Sequence, residues 1–184
     1  MKHIAFLLIA CVSPLPAQWL SAGVKGGGFF TDPAGRLDNS RKYVVGPMAE
    51  IGLHPRVGIE LNALYSRFGT LAVTADGRTA AGNSWEFPIL GKYYFTDKSG
   101  PVSPYLSSGF AIRHIWMENE GRRPGTTIRI PTTDPAAGAV VGGGVRVKMG
   151  MLTLSPEVRY TRWGGYNFPA TNPNQIQALV GIGF

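Results

Sequence analysis

Ten charged residues recur at alternate positions within apolar runs: Lys25, Glu50, Glu60, Glu86, Lys92, Arg113, Arg146, Lys148, Glu157 and Arg159. In an extended segment, positions two apart share a face, so all ten fall on the polar face of their segments. Four carboxylates and six cations gathered in this way can pair with one another or stand in water. Catalysis asks for more. A general base needs a nucleophile and a group to orient it. The histidines are His3, His54 and His114. His114 has Arg113 beside it, a cation that disfavours a protonated imidazole. Metal ligands are scarce, with few histidines and Cys11 as the one cysteine. Glu118 and Glu120 could hold calcium weakly, but loop carboxylates are usually just solvated. Gly142-Gly143-Gly144 lacks the lysine and the helix of a phosphate-cradling loop. No catalytic, metal or cofactor site is predicted.

The elements that carry the ten charges are short and extended. The chain has 184 residues, one domain's worth, with 25 Gly and 14 Pro. Such punctuation favours strands and turns over long helices. Period-two segments cover 20–31, 43–53, 57–68, 84–95, 104–116, 137–148, 151–163 and 175–184. Most have the length of a tilted strand that crosses a bilayer. Their connections alternate long and short: 32–42, 54–56, 69–83, 96–103, 117–136, the turn at Gly150, and 164–174. That alternation predicts an all-β, eight-stranded antiparallel up-and-down barrel with tight turns at one end and longer loops at the other.

Residues 1–17 read as a secretory signal. Lys2 and His3 precede an apolar run from Ile4 to Val12, and Leu15-Pro16-Ala17 precedes Gln18 as a cleavage site. The barrel domain is then 18–184. Leu8-Ile9-Ala10-Cys11 also resembles a lipoprotein box, so Cys11 is either lipidated or removed with the leader. The formal charge of +7 points to acidic partners. For an exported chain these are anionic lipid headgroups rather than nucleic acid.

Alternation alone does not distinguish inside from outside. A soluble barrel turns its charged face to water, and a membrane barrel turns its apolar face to lipid. Aromatic placement favours lipid. Phe30, Tyr43, Tyr65, Trp85 and Tyr160 gather toward the long-loop end of the apolar face, and Tyr93, Phe95 and Phe184 toward the short-turn end. Two belts suit two membrane interfaces. The ten charges would then line a narrow interior and pair, since a lone buried charge costs several kcal/mol.

The last strand, Ile176, Ala178, Val180, Ile182 and terminal Phe184 at alternate positions, resembles the C-terminal assembly signal of outer-membrane barrels. Ala22-Gly23-Val24-Lys25-Gly26-Gly27, Trp85-Glu86-Phe87-Pro88-Ile89-Leu90-Gly91-Lys92-Tyr93 and Pro156-Glu157-Val158-Arg159-Tyr160-Thr161-Arg162-Trp163 resemble the first, fourth and seventh strands of a known group. That group is the small eight-stranded barrels of the OmpA-domain, OmpX and opacity-antigen type. The resemblance implies a bacterial outer-membrane location and partners in outer-membrane lipid, lipopolysaccharide and the barrel-assembly machinery. Some such barrels modify lipid A with a His-x-Ser pair and a carboxylate, but here Trp116 stands where His114 would need a serine. The basic run Gly121-Arg122-Arg123-Pro124, with Arg129, would contact lipopolysaccharide phosphates or an acidic surface partner. The functional expectation is a structural or surface-interaction protein without catalysis. A narrow solute channel is the alternative, and a lipid A-modifying enzyme a further one.

Overall fold

A computed structural model describes residues 20–31, 43–73, 79–120, 127–131, 135–164 and 173–184. β-Branched and aromatic residues alternating with small or polar ones make strands that can be wet on neither face or on one. Here they form β1 (Leu20–Phe29), β2 (Tyr43–His54), β3 (Val57–Asn62), β4 (Leu64–Val73), β5 (Thr79–Tyr94), β6 (Val102–Glu120), β7 (Thr127–Pro131), β8 (Ala136–Met149), β9 (Leu152–Trp163) and β10 (Asn174–Gly183). The ten segments make eight staves. β3 and β4 are one traverse interrupted at Ala63, and both lie between β2 and β5. β7 and β8 both pair with β6 and form another.

Every neighbouring pair is antiparallel, and β1 closes the sheet on β10 with Lys25 opposite Gly181 and Gly28 opposite Ala178. Phe184 completes the seam through its main chain, exchanging hydrogen bonds with Ala22 at 3.1 and 3.3 Å. Closure requires strands to approach closely. A Cβ on Gly27 would lie 1.9 Å from the Ala178 carbonyl oxygen. The turn joining β8 to β9 places Gly150 at φ +63°, a left-handed conformation that glycine adopts without cost.

The strands run further at the long-loop end than the alternation predicts. β5 begins at Thr79, and β6 reaches Glu120 and pairs with β7 across residues expected to be loop. The reason lies in the backbone. A hairpin ladder needs only main-chain donors and acceptors, so it continues where the apolar alternation has ended. The leader expected over 1–17, with Cys11, lies outside the described residues.

Outward-facing side chains are apolar over most of the wall, from Leu106, Phe110 and Val141 to Val158, Val180 and Ile182. Among the described residues the interior holds two small apolar clusters, Phe29–Val44–Leu64–Leu179 and Leu90–Ala111–Val140–Trp163. Met48, Tyr94, Tyr105 and Ile115 are buried as well, and most of the other buried side chains among the described residues are polar or charged.

Candidate functional site

Strand alternation turns the charged face inward. Lys25, Glu50, Glu60, Glu86, Lys92, Arg113, Glu157 and Arg159 are all buried. Three carboxylates organise the middle of the barrel. Glu60 on β3 accepts from Lys25 Nζ at 2.5 Å, from Arg159 at 3.2 Å and from Asn62 at 2.9 Å, and it pairs with Lys92. Glu157 on β9 accepts from Lys25 at 2.8 Å, Arg159 Nε at 2.9 Å and the Tyr105 hydroxyl at 3.0 Å. Glu50 on β2 accepts from Tyr94 at 2.8 Å and Lys92 at 3.2 Å, and it also pairs with Lys98. Ion pairs buried in this way recover their desolvation cost only when the remaining lone pairs and protons are met, which the two tyrosines and Asn62 help to do.

Small residues make room for the large ones. Tyr105 rises inside β6 opposite Gly144, where an added Cβ would fall 2.7 Å from the tyrosine hydroxyl. Lys92 lies over the Tyr105 ring at 4.3 Å. A second group sits toward the long-loop end. Gln175 and Gln177 donate to Glu86 at 2.9 and 3.0 Å. Arg113 and Trp163 both donate to Gln175 Oε1, at 3.3 and 2.9 Å, with the guanidinium 4.3 Å from the indole ring.

Two of the ten charges differ from the rest. Arg146 is only half-buried, and Lys148 is exposed next to the Gly150 turn. Lys148 has the inward parity, lying opposite buried Thr153, but it stands so near the strand end that water reaches it. Conversely, Tyr94, Tyr105, Gln175, Gln177 and Lys98 belong to the network although they were not among the ten. The first four share the inward parity of their strands. Lys98 lies in the turn after β5, and nothing in its spacing marks it. It is positioned by its main chain, whose N–H donates to the Pro55 carbonyl at 3.0 Å. Next to it, Arg56 donates to Asp97 at 3.0 Å, and that hydrogen bond and charge raise the exposed guanidinium above its ordinary pKa.

The outer wall carries the other expected groups. Ile176, Ala178, Val180, Ile182 and Phe184 form one outward row on β10, with Phe184 76% exposed. His114 is exposed on β6, in register with Trp85. Arg122 and Arg123 lie outside the described residues, and Arg129 is placed by its backbone on β7 opposite Glu118. Among the described residues no cluster of metal-ligating side chains occurs.

No family model and no curated protein matches the chain. Solved structures do. The N-terminal β-barrel domain of Pseudomonas aeruginosa OprF superposes with a TM-score of 0.53 at 16% identity, covering 91% of this chain and 96% of that one. Neisserial surface protein A gives 0.51 at 15% identity, covering 90% and 94%. Ail of Yersinia pestis, solved in complex with the heparin analogue sucrose octasulfate, gives 0.54 at 11% identity, covering 90% and 95%. The chain has the fold of the small eight-stranded outer-membrane barrels.

Proposed function

We propose that this chain is an integral protein of the bacterial outer membrane whose role is structural or surface-binding, and that it neither catalyses nor conducts. The observation that carries this reading is the filled lumen. Lys25, Glu60, Glu157, Arg159, Lys92 and Glu50 tie β1, β2, β3, β5 and β9 together across the barrel axis. An eight-stranded barrel has room for side chains and little else. A solute would have to part several buried ion pairs to pass, each costly to break. The apolar outer wall suits lipid, and the short-turn end then faces the periplasm.

Surface binding is the finer part of the proposal. In sequence, Arg122, Arg123 and Arg129 follow β6, and the formal charge is +7. Ail, with the same fold, was solved with a polyanion. By the same chemistry, an acidic surface or a lipopolysaccharide phosphate is the partner proposed here. His114, exposed with Trp116 two residues on, supplies neither a nucleophile nor an orienting carboxylate for lipid chemistry.

The test has three parts. Outer-membrane protein should migrate differently on a gel before and after boiling. Planar bilayers containing it should show no steady current, and a current altered by Glu86→Lys would establish the channel instead. Deleting 122–131 should abolish binding to heparin resin while the heat-dependent mobility shift survives. Lipid A turnover lost in His114→Ala would overturn the non-catalytic reading.

A further inference from the structure

Two of the inward cations lack a carboxylate partner among the described residues. Arg146 and Lys148 stand two apart on the inner face of β8, at the short-turn end. Arg146 faces buried Ser103 on β6, and Lys148 faces buried Thr153 on β9. The Arg146 Nε is buried without a hydrogen-bond partner, and neither side chain forms an ion pair with a described residue. The sequence has no carboxylate side chain left to supply one. Asp97 bonds Arg56, Glu50 pairs with Lys92 and Lys98, and Glu157 accepts from Lys25, Arg159 and Tyr105. Glu60 and Glu86 are engaged deeper in the lumen. In sequence, Asp32, Asp38, Asp76, Glu118, Glu120 and Asp134 fall at or beyond the strand ends of the opposite, long-loop end, and residues 1–19 contain no Asp or Glu.

The two cations border a vestibule that water enters from the short-turn end. Along the inner face of β8 exposure rises toward the turn, from buried Val140 through half-buried Arg146 to exposed Lys148. The Tyr94 and Tyr105 rings, 5.3 Å apart and both buried, form its floor. Tyr105 lies opposite Gly144, one inward position deeper than Arg146. The tyrosines therefore stand between the vestibule and the ion pairs of the lumen. Round the wall from β8, the inward positions are small: Thr153 and Ser155 on β9, then Gly181 and Gly183 on β10, with Met48 packed against the two glycines.

We infer that this vestibule is a binding site for a phosphate group, held between Arg146 and Lys148 with the Thr153 hydroxyl as a further donor. Charge complementarity selects the occupant. A guanidinium offers a fork of N–H donors that matches an oxyanion, and an ammonium beside it adds a point charge. A carboxylate carries one charge and leaves one of the two cations unmatched. A phosphate monoester carries about −1.5 to −2 at neutral pH and matches both. The site lies in the lumen at the end opposite the basic loop, and it requires only the barrel. That this end faces the periplasm rests on the outer-membrane reading above, which makes the ligand a periplasmic phosphate.

The test is nuclear magnetic resonance of the folded, detergent-solubilised barrel, titrated with inorganic phosphate at constant ionic strength. The backbone amide signals of Ser103, Lys148 and Thr153 should move to saturation with phosphate and stay in place with chloride. Arg146→Gln should weaken binding roughly tenfold, the scale of one charge-assisted contact. Lys148→Gln should weaken it as well, and Arg56→Gln, at a cation already bonded to Asp97, should leave it unchanged. Heat-dependent gel mobility establishes that each variant is folded. Shifts that never saturate, shifts that chloride reproduces, or undiminished binding by folded Arg146→Gln mean an adventitious ion only and overturn the inference. Competition then separates the sources: displacement of phosphate by glycerol 3-phosphate assigns a soluble ester, and displacement by bicelles containing phosphatidic acid assigns a lipid headgroup. The outer-membrane reading fails separately, by absence of the protein from outer-membrane fractions.

Discussion

Lys25 and Glu157 lie 132 positions apart in the chain, and Lys25 Nζ donates to the Glu157 carboxylate at 2.8 Å inside the barrel. The contact crosses beneath β10, the strand that closes the sheet on β1. It therefore secures the seam from within, independently of the main-chain ladder. Removing the ammonium leaves Glu157 and Glu60 short of a shared cation. Lys25→Met is expected to cost about 3–5 kcal/mol, the scale of breaking a buried pair on one side. Urea unfolding of the refolded barrel in lipid vesicles measures it.

The seam also depends on absent side chains. Gly27 leaves no space for a Cβ beside Ala178, whereas the first neighbour of a Cβ on Gly26 would be 3.5 Å away. Gly27→Ala should lower stability by about 1–3 kcal/mol, the usual cost of overpacking, or prevent closure. Gly26→Ala should be close to neutral. The pair of variants, compared by the temperature at which folded protein loses its gel mobility shift, separates close approach from a general effect of adding a methyl group.

Two cations at the short-turn end should behave differently. Lys98 pairs with buried Glu50 and lies 5.2 Å from the Tyr94 ring. Lys98→Met should destabilise by about 1–3 kcal/mol, the scale of a lost hydrogen bond to a charged group. Arg56 bonds Asp97 in water, where screening and side-chain entropy erase most of the gain. Arg56→Ala should leave the unfolding midpoint unchanged in the same assay.

Phe184 contributes differently through its main chain and its side chain. The main chain completes the seam with Ala22, while the ring projects outward. Phe184→Ala should therefore refold in vitro with nearly wild-type thermal stability. If the ring is read during assembly, the same variant should reach the outer membrane of cells at much lower levels. Comparing refolded stability with membrane abundance distinguishes assembly from packing.

Much of this architecture follows from alternation. Val57–Gly58–Ile59–Glu60–Leu61–Asn62 states which residues share a face, because the side-chain period of a strand is two whatever its neighbours. The same rule gives the outward row ending at Phe184 and the turn at Gly150. Parity also marks Tyr94 and Tyr105 as inward, but aromatic residues on a polar face carry no label that says what they bond. Alternation stops being informative where lipid no longer demands apolar residues, so the β6–β7 hairpin read as loop. Pairing is a different matter. That Glu60 receives Lys25, Lys92 and Arg159 rather than Arg113 depends on register and strand tilt around a closed circumference. The outward row Phe110–Ala139–Arg162 depends equally on which residues of β6 and β9 stand opposite β8. A chain specifies each strand's faces locally, because they arise from its own backbone. Contacts between strands far apart in sequence exist only once closure has set their relative heights.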